Sequence, residues 1–147
     1  LIVISPTANT DIARSSHKQI PFINIGNLPI FFSMKSVFFE TSNFTATLGH
    51  YLADNEYRQL QLEMQTNPQV GDLMPRTGGF RKMRWPDSRR HKGKRGVLRV
   101  IYYWLLSSGQ FWMFAIYDKD ELENLTSDQE NMLKAAIEAE LKQRGKA

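Results

Sequence analysis

The stretch VLRVIYYWLLSSGQFWMFAIYDK, residues 97–119, decides the fold. Two runs rich in β-branched and aromatic residues, 97–106 and 110–117, flank SSG, a tight hairpin signal, so the segment reads as two antiparallel strands. Upstream, FRKMRW (80–85) is a third strand candidate, preceded by the turn-rich NPQVGDLMPRTGG. Asn67 and Pro68 end a helix that carries Tyr57, Leu60 and Met64 and takes Asp54 as its cap. An earlier helix carries Phe44, Leu48 and Leu52 behind Thr41 or Ser42, and KSVFFE (35–40) is the first strand. Downstream, Thr126 and Gln129 are spaced as a capping box for a helix whose Met132, Leu133, Ala136, Ile137 and Leu141 recur on one face until Gly145. The order is strand, helix, helix, three strands, helix. Such segregation predicts an α+β fold: a small antiparallel sheet whose meander is covered by helices.

A chain of 147 residues, 41% hydrophobic and 23% charged, suits one globular domain. Residues 1–33 are set apart by the polar clusters SPTANT and RSSHKQ and by the lack of helical periodicity. They read as an N-terminal appendage, translated from upstream, before a domain spanning 34–147; the alternative is an extra strand at 20–32 packed on that domain. The latter stretch follows Arg14 and Lys18 as a secretory signal would, but Pro21, Asn24, Gly26, Asn27 and Pro29 interrupt it and no small-residue cleavage site follows. No apolar run approaches the roughly 20 residues of a membrane span. The absence of cysteine excludes disulfides and thiolate chemistry, and the chain suits a reducing compartment. His17, His50 and His91 lie too far apart in sequence for a metal-ligand spacing, so no metal is expected.

Charge is distributed unevenly. Between Arg76 and Arg99 stand ten Lys or Arg against the single acid Asp87, so the remainder of a chain of net charge +4 is acidic. Strand alternation puts Phe80, Lys82 and Arg84 on one face of 80–85 and Arg81, Met83 and Trp85 on the other. Met83 and Trp85 suit a core; Lys82 and Arg84 stand on the open face, where Arg99 of the next strand joins them. SRRHKGKRG between the strands holds no apolar residue and reads as a cationic loop turned by Gly93 and Gly96. Clustered cations on an acidic body are the footprint of a polyanion site. Nucleic acid fits better than acidic lipid, since no amphipathic basic helix or lipidation motif accompanies the loop. A solvated loop without a partner is the bland alternative.

RNA cleavage without metal needs a base for the 2′-hydroxyl, an acid for the leaving 5′-oxygen, and cations around the phosphorane. Lys82 is a candidate base, because positive neighbours favour the neutral amine. Arginine only holds phosphate and stabilises charge. His91 brings an imidazole, whose intrinsic pKa suits either proton transfer, although a lone loop histidine is more often solvated. No nucleophilic triad emerges, and RTGGFRK lacks the Walker spacing. The carboxylates of DKDELE (118–123) read as capping and solvating the approach to the last helix.

The blocks MKSVFFETSNF, DNEYRQLQ, NPQVGD, TGGFRKMRW, GKRGVLRVIYY, AIYDK and LTSDQ, in that order, resemble the HigB toxins of the RelE/ParE superfamily over residues 34–147. The resemblance implies a RelE-like sheet flanked by helices and a cytoplasmic, ribosome-dependent endoribonuclease that cleaves mRNA without metal or cofactor. It also implies a cognate helix-turn-helix antitoxin that neutralises the toxin. Carried over by position, the catalytic set falls on Lys82, Arg84, Arg99 and Lys119. Arg81, Arg89, Arg90, His91, Lys92, Lys94 and Arg95 are the candidate RNA grip. The chain departs from the pattern where relatives commonly have a second glycine after KRG and it has Val97, and in the added charges of RRHK. The RelE branch also places an arginine and a tyrosine beyond the last strand; DKDELENL has neither, and Tyr117 is the nearest tyrosine. A non-catalytic module of the same fold, binding RNA or protein, and a gyrase poison from the wider superfamily are the alternatives.

Overall fold

The computed structural model describes residues 12–13, 36–90, 96–121 and 124–145. Chain order is β1 (Ile12–Ala13), β2 (Val37–Thr41), α1 (Ser42–Tyr51), α2 (Asp54–Thr66), β3 (Asp72–Leu73), β4 (Arg81–Pro86), β5 (Val97–Leu105), β6 (Gln110–Asp118) and α3 (Ser127–Arg144). The α+β class and the β4–β5–β6 antiparallel meander are as expected. Leu106–Ser108 forms a 3-10 turn, and Gly109 at φ 63 completes it in the left-handed region that glycine enters without steric cost.

Sheet order is β1-β2-β6-β5-β4-β3. One pairing was not legible in the pattern: β2 joins β6 in parallel, Phe38 opposite Phe111 and Glu40 opposite Met113. The helices α1 and α2 begin the connection that carries the chain from β2 across to β3 at the far edge, and parallel neighbours require a long connection of this kind. The edge strand β3 was hidden in the turn-rich run, because two residues carry no periodicity. The appendage proposed for 1–33 and the alternative strand at 20–32 lie outside the described residues, apart from Ile12–Ala13, whose backbone pairs antiparallel with Glu40 and Thr41.

Local chemistry sets the helix ends. The Thr41 hydroxyl accepts from the Phe44 N–H at 3.2 Å and donates to the Phe114 carbonyl at 3.0 Å, tying the start of α1 to a β-bulge in β6. The bulge lies where register slips from Ile101 opposite Ala115 to Tyr102 opposite Met113. Asp54 is the first helical residue of α2 rather than its cap; Ala53 holds the cap position and its N–H donates to Glu56 at 2.8 Å. Thr126 and Gln129 form the expected reciprocal box at α3.

The sheet buries both faces. On one, Phe44, Tyr57, Leu60 and Met64 of α1 and α2 pack against Met83, Leu98, Val100, Tyr102 and Phe111. On the other, Leu133 and Ile137 of α3 cover Phe80, Ile101, Trp112 and Ala115. Each Leu, Ile, Val, Phe or Met among them contributes roughly 1.5–3 kcal/mol on burial. No helix among the described residues is long and apolar enough to cross a membrane.

Candidate functional site

The register of the meander builds the site. Arg84 of β4 lies directly opposite Arg99 of β5, and Arg99 directly opposite Tyr117 of β6, so alternation puts all three side chains in one row on the α3 face. Lys82 is one pleat away in the same file of β4, between Ile101 on β5 and Asp72 on the edge strand β3. It is therefore grouped with the arginines by face, not by direct opposition. Lys119 is exposed one residue beyond β6, and its N–H continues the ladder to the Val97 carbonyl at 3.2 Å.

The row is unusual in its hydrogen bonding. Arg99 is only 9% exposed and Tyr117 only 1%, yet the Arg99 Nη1 and the Tyr117 hydroxyl are buried without a hydrogen-bond partner among the described residues. Buried polar groups are almost always paired, and a charged one left without a partner is costly. Burial pushes the Tyr117 phenol up, with the Arg99 charge acting in the opposite sense, so the hydroxyl is protonated at neutral pH and is available as a donor. The exposed Arg84 can contact an anion directly, and the buried Arg99 charge and Tyr117 dipole on the adjacent strands, in a dry setting, act on it more strongly than the same groups in water.

The remaining candidates divide. Arg81 faces away from the row, and its Nη1 donates to the Gly71 carbonyl at 2.9 Å. Arg89 holds Asp87 with two donors, Nε to Oδ1 at 2.9 Å and Nη2 to Oδ2 at 2.8 Å. Its Nη1 donates to the His50 carbonyl at 3.2 Å, and its guanidinium lies 4.7 Å from the centre of the Tyr51 ring. The Arg90 Nη2 reaches Asp118 at 2.5 Å and Asp120 at 2.8 Å. His91, Lys92, Lys94 and Arg95 lie outside the described residues.

Asp118, Asp120 and Glu121 of DKDELE therefore do more than solvate an approach. Asp118 and Asp120 receive Arg90, and Glu121 accepts from the Tyr51 hydroxyl at 2.6 Å. The Arg89 donors hold the Asp87 carboxyl below its ordinary range against the opposing effect of burial. At Asp118 burial acts upward, but the Asp120 N–H and Arg90 outweigh it and the carboxyl is lowered. Sequence reasoning missed the roles of Asp118, Asp120 and Glu121 because their partners lie 28 or more positions away, and it noted Tyr117 without its place in the row. Alternation along each strand was available; the register between strands was not.

The TGG turn is structural. The Thr77 hydroxyl donates to the Met74 carbonyl at 2.8 Å and accepts from the Phe80 N–H at 3.1 Å. Gly79, at φ 119, leaves room for Tyr103, whose Cε2 a Cβ would approach to 3.0 Å. No family model matches the chain.

Proposed function

We propose that this chain is the toxin of a type II toxin-antitoxin pair: a cytoplasmic, ribosome-dependent mRNA endoribonuclease of the HigB type in the RelE/ParE superfamily. The observation that carries the reading is the Arg84, Arg99, Tyr117 row with its two buried unpartnered donors. In the proposed reaction the 2′-hydroxyl gives up its proton and its oxygen bonds to phosphorus. The bond from phosphorus to the 5′-oxygen breaks, and that oxygen takes up a proton. The products are a 2′,3′-cyclic phosphate and a free 5′-hydroxyl.

Arg99 and Arg84 stabilise the charge that gathers on the pentavalent phosphate, and Lys82 serves as base or phosphate ligand. Lys119 grips the RNA from its exposed position after β6. The partners of this reading are mRNA in the ribosomal decoding site and a helix-turn-helix antitoxin.

The test is primer extension on mRNA from translating ribosomes incubated with the full chain or with Arg99→Ala. The wild type should introduce discrete cuts, with no divalent-metal requirement beyond the ribosome's own, and the variant should leave the message intact. Identical patterns from the two would remove the enzymatic reading and leave a binding module of the same fold.

A further inference from the structure

Arg89 and Arg90, in the β4–β5 connection, are engaged by acids on the side of the sheet away from the row. Asp87, immediately after β4, has a fully buried side chain and donates its own N–H to the Gly96 carbonyl at 3.1 Å, which closes the root of the connection. Arg89 carries that root to the C-terminal end of α1 through the His50 carbonyl and the Tyr51 ring. Arg90 carries it to the end of β6 through Asp118, the neighbour of Tyr117. Gly96 belongs to the same device: a Cβ there would lie 2.3 Å from the Arg90 Cδ and 2.8 Å from its Cγ, so the Arg90 side chain lies directly over the glycine.

We infer that Arg89 and Arg90 are positioning residues, not phosphate ligands: with Asp87 and Asp118 they form a clasp that fixes the ends of β4, β5 and β6 carrying Arg84, Arg99 and Tyr117, and draws the root of the connection toward α1, off the face where RNA binds. The inference rests on the RNA-binding reading of the row.

The experiment measures affinity of the full chain for a fluorescein-labelled single-stranded RNA by anisotropy across a salt series, with thermal unfolding alongside. A residue that contacts phosphate directly lowers the salt slope by about 0.7 when removed from a single-strand complex. Arg84→Ala should do so. Arg90→Ala should weaken binding roughly tenfold and leave the slope unchanged. Gly96→Ala should weaken binding to a similar degree because it displaces Arg90, and the double variant should be no worse than Arg90→Ala alone. A slope reduced by Arg90→Ala, or additive losses in the double variant, overturns the clasp while leaving the RNA site standing. A wild type without RNA affinity overturns the functional reading, and the clasp's positioning role with it.

Discussion

Tyr117→Phe tests the row most directly, because it should raise stability and lower activity together. The wild-type hydroxyl is buried with no partner among the described residues, and leaving such a group unsatisfied costs about 1–3 kcal/mol. Removing it should return that amount. At roughly 2–4 °C per kcal/mol for a domain of this size, the midpoint of thermal unfolding should rise by about 2–12 °C. The same change at Tyr102 supplies the control: its hydroxyl accepts from the Gly71 N–H at 3.1 Å and donates to the Pro68 carbonyl at 2.7 Å. Tyr102→Phe should therefore cost about 1–3 kcal/mol of lost and unsatisfied bonding and lower the midpoint. In the cleavage assay Tyr117→Phe should fall roughly 10²- to 10³-fold, the loss typical of one donor removed from a developing anion. If Tyr117→Phe is destabilised as Tyr102→Phe is, the Tyr117 hydroxyl is satisfied in solution and the row is not a donor site.

Acid stability should report the clasp. The folded-state carboxyls of Asp87 and Asp118 are lowered, so their stabilisation is fully present above the ordinary aspartate range and is lost as pH falls through their folded values. Thermal midpoints measured from pH 7 down to about 3 should drop steeply below about pH 4 for the wild type. Asp87→Asn should start lower at neutral pH and show a flatter acid limb; parallel curves would contradict the assignment. Two glycines should respond in opposite directions in thermal or urea unfolding. Gly49→Ala, on the exposed face of α1 with nothing within 4 Å of the added Cβ, should gain about 0.5–1 kcal/mol. Gly79→Ala, at φ 119 and against Tyr103, should lose about 1–3 kcal/mol.

The elements of the meander were legible because their cause is local. Val97, Leu98 and the aromatics after them cannot be solvated as a loop, SSG turns the chain, and Thr126 with Gln129 caps a helix wherever that helix packs. Alternation likewise placed Lys82 and Arg84 on one face and Met83 in the core, since period two belongs to the strand itself. Asp54 was misread as a cap because a carboxylate suits either the cap or the first turn of a helix, and only the backbone distinguishes them.

What the sequence by itself determined was the identity of the longer elements, the core-facing residues of the helices and of FRKMRW, and the concentration of cations between Arg76 and Arg99. Tertiary structure alone decided how those cations are used. Cross-strand register set Arg99 between Arg84 and Tyr117 and left its Nη1 without a partner, while the return of β6 brought Asp118 to Arg90 from 28 positions away. Charge can be counted along a chain. Whether an arginine is paired or open depends on which acid the fold brings within about 3 Å of it, and that distance is fixed only when the strands have found their neighbours.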